Sequence, residues 1–228
     1  ITITGDDRMK DRPIQDLLDT LVDSGIKLDS SNPITISGSQ TSKKNHLYLN
    51  CSLSSQYLTG LMLVGSCIPE GLKIHIVNKL VSSKFIDMTI KIMNTFGIIV
   101  EWCKDLNNHY IYIPYKLYTN PDIYQIEADA TSCSYPIAYS ILNKIPLYIP
   151  NLTSNNSQGD LFFSTTIMQK FGDFKLECNE NGTTISNFNR NNKTLYGLNE
   201  IDMDSSDTFL TIAVLASLTK DGSTTKII

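Results

Sequence analysis

The chain reads as an α/β protein built from a repeated unit of strand, helix, strand, helix and two strands. Three observations predict this. Amphipathic helical segments recur at a spacing near 75 residues, a second kind of helix recurs out of phase with them, and strand-like runs fill the intervals. A period this long lies above the usual solenoid range and suits a repeated α/β subdomain.

The first helix type begins with "RPIQDLLDTLVDSG". Ile14, Leu17, Leu18, Leu21 and Val22 fall at i, i+3, i+4, i+7 and i+8, one apolar face. Pro13 suits the first turn and Gly25 the stop. "FIDMTIKIMNTFG" repeats the form with Ile86, Ile90 and Met93 before Gly97, and "GDLFFSTTIMQKFG" with Phe163, Ile167 and Phe171 before Gly172. The stop glycines stand 72 and 75 residues apart. The second type begins at Ser54 in "SSQYLTGLM", at Thr131 in "TSCSYPIAYS" and at Ser205 in "SSDTFLTIAVL". Strands are expected at 73–77, 97–102, 109–115, 123–128, 146–150 and 224–228. "ITITGDD" opens strand-like without an initiator methionine and "STTKII" closes strand-like, so a longer polypeptide is expected around the chain.

With 228 residues, the chain can form one large domain or two of roughly 100–150. Apolar residues at 41% allow a packed core, and a net charge of −4 is a poor basis for wrapping nucleic acid. No apolar run is long enough to suggest a transmembrane helix. Cys51, Cys67, Cys103, Cys133 and Cys178 are odd in number and widely spaced, which predicts reduced, mostly buried thiols in a cytoplasmic protein. His46, His75 and His109 lie far apart in sequence, and local spacing offers no metal site. Triplets such as Asn151-Leu152-Thr153 are expected by chance in a chain this rich in Asn, Ser and Thr.

Each second-type helix opens on adjacent hydroxyls: Ser54-Ser55, Thr131-Ser132 and Ser205-Ser206. A helix start carries free N–H groups and the positive end of the dipole, so these positions suit a phosphate or carboxylate. Simple N-capping explains the same residues. Arginine occurs at only three positions, Arg8, Arg12 and Arg190. The first two, in "GDDRMKDRP", suit a bidentate grip on an anion, but taken alone a solvated helix start paired with Asp6, Asp7 and Asp11 is the better reading.

The runs "TGDDRMKDRPIQDLLDTL", "SSQYLTGLML", "LVSSKFIDMTIKIMNTFG", "EADATSCSYPIA", "NNSQGD" and "IDMDSSDTFLTIAVLA" cover nearly the whole chain. In this order and spacing it resembles 5-enolpyruvylshikimate-3-phosphate (EPSP) synthase. More narrowly, with "IPYKLYTNP" and "YPIA", it is similar to the synthase region of fungal pentafunctional AROM polypeptides. The resemblance implies a two-domain, inside-out enolpyruvyl transferase-like α/β fold of βαβαββ units, helices inside and sheets outside. Residues 1–127 would be the later part of the first domain and 128–228 the earlier part of the second. It further implies transfer of the enolpyruvyl group of phosphoenolpyruvate to the 5-hydroxyl of shikimate 3-phosphate, without metal or other cofactor, inside a longer chain carrying other AROM domains.

By the same resemblance, Ser54, Ser55 and Gln56 match the triplet that binds shikimate 3-phosphate, and Ser82 matches a further phosphate-binding serine. Arg12 matches the arginine that grips phosphoenolpyruvate. Asp207 matches the aspartate that binds the shikimate hydroxyls and is a candidate base. Asp129 matches an acidic residue on the hinge side of the site. Departures are Phe85 where a tyrosine is usual, Lys84 for a proline, and a segment before Asp207 that is one residue short. The family's early lysine, its G-N-A-G-T loop and its later Lys-Glu and arginine motifs fall outside the chain, so inactivity is expected of this stretch alone. A UDP-N-acetylglucosamine enolpyruvyl transferase and a non-catalytic, phosphosugar-binding relative are the alternatives; "SSQYLTG" and "TSCSYPIA" speak against the first.

Overall fold

The computed structural model describes residues 1–31, 33–37, 44–105, 108–189, 195–201, 207–220 and 223–227. They form two compact units, Ile1–Ile123 and Tyr124–Ile228.

The first unit contains one full repeat. β4 (His46–Asn50), α3 (Gln56–Gly65), β5 (Leu72–Val77), α4 (Ser83–Thr95), β6 (Glu101–Asp105) and β7 (Asn108–Ile113) follow in sequence. The sheet order is β4-β5-β7-β6, with β4 and β5 parallel and the other pairs antiparallel. The parallel pair needs a long crossover, and α3 supplies it. Before this repeat come β1 (Thr2–Ile3), α1 (Asp7–Lys10), α2 (Gln15–Asp23), β2 (Lys27–Ser31) and β3 (Ile34–Ser37). They form a sheet of order β1-β3-β2.

In the second unit, α5 (Ala130–Asn143) leads to β8 (Leu147–Ile149) and then α6 (Asp160–Phe162). α6 continues as a π-helical turn, Phe163–Ile167, and a 3-10 turn, Met168–Phe171. β9 (Lys175–Asn179) and β10 (Gly182–Ser186) complete a sheet of order β8-β10-β9. β11 (Glu200–Ile201) and β12 (Lys226–Ile227) pair in parallel around α7 (Phe209–Ser217), as β4 and β5 do around α3. The ladder order β5-β7-β6 therefore recurs as β1-β3-β2 and β8-β10-β9.

Strand alternation builds the core of the first unit. Leu47, Leu49, Leu72, Ile74 and Ile76 turn inward against Leu58, Leu61 and Met62 of α3 and Ile86 and Met93 of α4. Each such side chain stabilises by about 1.5–3 kcal/mol on full burial. Tyr48 and His75 turn the other way and stack at 4.6 Å on the outer face. The second unit packs Ile137 and Ile141 of α5, Phe163, Ile167, Met168 and Phe171, Ile185 of β10, and Ile212 and Leu215 of α7.

Four sequence expectations need correction. Gly25 (φ +97°) and Gly97 (φ +86°) do stop helices in the left-handed conformation, but Gly172 is extended. The third helix ends through tightening turns, with the Gln169 amide donating to the Phe174 carbonyl and accepting from Leu176 N–H. The strand expected at 97–102 begins only at Glu101, because Ile98 N–H reaches back to Met93 O (2.9 Å) in the helix-ending motif. Residues 123–128 are not a strand: Ile126 is exposed, Glu127 holds Ser157, and Ala128 accepts from Asn156 and Gln158 side chains. All five cysteines are free, as expected, but only Cys51 is fully buried and Cys67 is exposed.

Candidate functional site

β4 and β5 run parallel, so their carboxyl ends, Asn50 and Val77, lie side by side. Each is followed by a short loop and a helix start, α3 after β4 and α4 after β5. The loops are tied by Cys51 N–H to Val77 O (3.4 Å) and Val81 N–H to Cys51 O (3.3 Å). Two positive helix ends therefore sit at the carboxyl end of the sheet, where α/β proteins place ligands. Neither start has an acidic residue in its first turn or a side-chain cap from its own N-cap residue, Ser55 or Ser82. Ser54 Oγ accepts from Gln56 N–H (3.1 Å), so Ser54 does part of the capping. Ser55 is 4% exposed, and its hydroxyl has no hydrogen-bond partner among the described residues. Ser82 holds a left-handed conformation (φ 54°, ψ 45°) that aims the chain into α4. Cys51 is fully buried, and burial, with Asp16 adding to it, pushes its thiol up to about 12.

Arg12 and Gln56 line one cavity of about 290 Å³, together with Gly5, Pro13, Ile14 and Tyr57. The Tyr57 hydroxyl donates to the Pro13 carbonyl and pins the Arg12 turn to the first turn of α3. Pairing with neighbouring carboxylates does not account for the arginines. Asp6 caps α1 through Met9 N–H (2.8 Å), Lys10 takes Asp7 (3.0 Å), and neither Arg8 nor Arg12 forms an ion pair among the described residues. Phe85 is exposed on the first turn of α4, its N–H bonded to Ser82 O.

The second unit treats its helix start differently. Asp129 caps α5, accepting from Thr131 N–H (3.0 Å), Ser132 N–H (3.3 Å) and Ser132 Oγ (2.6 Å). Gln158 of the "NNSQGD" loop accepts from Ala130 N–H (2.9 Å), and Asp160 accepts from the Thr131 hydroxyl. The donors that Thr131 and Ser132 would offer an anion are thus already engaged. Asp207 is exposed in the turn before Thr208, the N-cap of α7. Ser205, Ser206 and Arg190 lie outside the described residues.

The Ser132 hydroxyl, then the N–H groups of Ser132 and Thr131, hold the Asp129 carboxyl below its ordinary value against the opposing effect of burial. A depressed folded-state pKa adds stability that is full above the unfolded carboxylate pKa and is lost as pH falls through the folded one. Asp129→Ala is expected to cost about 0.5–2 kcal/mol at neutral pH. The gap from the parent should close in the acid range, as measured by denaturant unfolding across pH.

Asn50, Asp16 and Tyr57 join the expected residues here. Sequence reading did not mark them: Asn50 looks like the end of a strand, and Asp16 and Tyr57 look like ordinary helix positions.

A family model described as EPSP synthase (3-phosphoshikimate 1-carboxyvinyltransferase) matches residues 1–228. The chain is 33% identical over 229 residues to a pentafunctional AROM polypeptide of Lachancea thermotolerans, with 97% of this chain and 14% of the relative covered. It is 34% identical over 233 residues to AROM polypeptide 1 of Lodderomyces elongisporus, covering 99% of this chain and 15% of that one. It is 33% identical over 228 residues to the AROM polypeptide of Saccharomyces cerevisiae, covering 97% and 14%. The chain thus spans only about a seventh of the length of these curated relatives. Among solved structures, the enolpyruvyl transferase NikO from Streptomyces tendae superposes with a TM-score of 0.63 at 12% identity, over 92% of this chain and 50% of that one.

Proposed function

The chain belongs to the EPSP synthase (3-phosphoshikimate 1-carboxyvinyltransferase) family, and from that premise we propose that the protein carrying it transfers an enolpyruvyl group from phosphoenolpyruvate to the 5-hydroxyl of shikimate 3-phosphate. The 5-oxygen bonds to the central carbon of phosphoenolpyruvate while the methylene carbon takes a proton. Loss of a proton from the resulting methyl group and cleavage of the carbon–oxygen bond to phosphate then give EPSP and inorganic phosphate. The reaction needs a base, an acid and cationic grips on two phosphates and a carboxylate.

The observation that carries this reading is the cavity that Arg12 shares with Gln56 at the start of α3, a helix whose N-cap residue Ser55 makes no cap bond. We assign the 3-phosphate to Ser54, Ser55, Gln56 and Ser82, and phosphoenolpyruvate to Arg12. Asp207 is assigned to the shikimate hydroxyls and to proton abstraction, its exposed carboxylate being accessible to a ligand. Asp129 is assigned to the hinge side of the site; a carboxylate has acceptor capacity beyond the three bonds it makes here. Residues 1–127 are read as the later part of one domain and 128–228 as the earlier part of the next. Further AROM domains in the same polypeptide and a cytoplasmic setting complete the proposal. The free thiols support that setting, and no helix among the described residues is long and apolar enough to cross a membrane.

Phosphate release from the two substrates by the full-length protein tests the reaction; none above background would refute it. Ser55→Ala tests the site. It is expected to weaken shikimate 3-phosphate binding and to reduce discrimination against unphosphorylated shikimate. Its melting temperature should hold, because the Ser55 hydroxyl makes no cap bond. A cap role predicts instead a loss of about 0.5–2 kcal/mol in stability with the affinity ratio unchanged.

A further inference from the structure

The structure assigns Asn50 as a positioning residue that sets the Arg12 cavity against the two helix starts. Its carboxamide bonds to three separate segments. Oδ1 accepts from Ser52 N–H (3.1 Å), Ser52 Oγ (2.8 Å) and Asn78 Nδ2 (3.3 Å), and Nδ2 donates to Asp16 Oδ1 (3.3 Å). The amide orientation is fixed by chemistry. Ser52 N–H can only donate and an ionised Asp16 can only accept, so a flip would break both bonds. Ser52 lies in the loop that delivers Ser54–Gln56. Asn78 (φ 66°) begins the loop that delivers Ser82. Asp16 is in the first turn of α2, three residues after Pro13 and four after Arg12. One side chain at the carboxyl end of β4 therefore links every segment of the first unit that holds a proposed substrate contact. It is built for coupling two subsites: the donor side faces the Arg12 segment, and the acceptor side faces the serine loops.

This assignment rests on the function proposed above and separates the two sides by experiment. In the full-length protein, Asn50→Asp keeps the acceptors for Ser52 and Asn78. It removes the donor to Asp16 and puts two carboxylates face to face. The phosphoenolpyruvate KM should rise about tenfold, as expected for losing a hydrogen bond to a charged group, with little change in the shikimate 3-phosphate KM. Adding Asp16→Asn should restore it, because the amide introduced at position 16 then donates to the carboxylate introduced at position 50. Asn50→Ala, which frees both sides, should raise both KM values. Hydrogen exchange over 12–16 gives a readout independent of turnover: faster in Asn50→Asp and returned to the parent rate in the double variant. Equal changes in both KM values for Asn50→Asp, or no recovery of exchange and KM in the double variant, would overturn the assignment. A parent protein without turnover would sink the functional reading, while the exchange data would still decide whether Asn50 holds the Arg12 segment.

Discussion

Arg12→Ala in the full-length protein is expected to raise the phosphoenolpyruvate KM by about ten- to a hundredfold or more, with a much smaller effect on shikimate 3-phosphate. A charge-assisted bond to a bound anion is worth roughly 1.5–3 kcal/mol, and each 1.4 kcal/mol is a factor of ten. The split between substrates is the diagnostic part. Arg12 lines the cavity, and no carboxylate among the described residues competes for its guanidinium. Arg12→Lys should recover only part of the loss, since an ammonium cannot reproduce the two-pronged geometry. Steady-state kinetics with each substrate varied in turn measures this, and equal shifts in both KM values would remove Arg12 from its assigned role.

The largest expected effect on stability is at Phe171. Among the described residues it is the bulkiest fully buried side chain, at 0% exposure, and its carbonyl accepts from Tyr196 N–H (2.8 Å). Phe171→Ala should cost about 3–5 kcal/mol through lost transfer energy and the cavity left behind. Phe171 belongs to the 3-10 turn that ends the irregular helix, so the number reports whether that turn is core or trim. The loss should appear as faster hydrogen exchange in α5, β10 and α7, which share the cluster, with the protection of β4 and β5 retained. A cost under about 1 kcal/mol would mean that the site collapses around the deletion and that Phe171 is not the anchor of this core.

Much of this was legible because helices advertise themselves. Ile86, Ile90 and Met93 repeat at the spacing of a helix face, and the left-handed stops at Gly25 and Gly97 need a residue without a Cβ. The strand at 123–128 was misread for a general reason. Alternating apolar residues make a strand only if a neighbour offers its edge; here no described strand pairs with 123–128, and the Ala128 carbonyl accepts from the Asn156 and Gln158 side chains instead. At the candidate site, the helix starts of α3 and α4 could be foreseen from hydroxyl clustering and family resemblance. What distinguishes them from α5 could not. Asp129, extended at ψ 105°, caps its own helix start, whereas Ser55, helical at ψ −11°, makes no cap bond, and that difference lies in the backbone conformation of the folded chain as well as in the side chain. Asn50 was invisible for a related reason: its four bonds join residues 16, 50, 52 and 78, which only the folded chain brings together.

The recurring ladder also orders the assembly of the molecule in time. β2–β3, β6–β7 and β9–β10 are antiparallel neighbours in sequence, and such hairpins close in about 1–10 μs. The β4–β5 pairing is parallel and must wait for α3 to fold across the sheet, closing a much longer loop. Asn50 and Val77 meet only when that pairing is complete. The loops proposed to hold the phosphate are therefore expected among the last parts of the first unit to form, and an anion bound there would act as a late clasp on an otherwise finished unit.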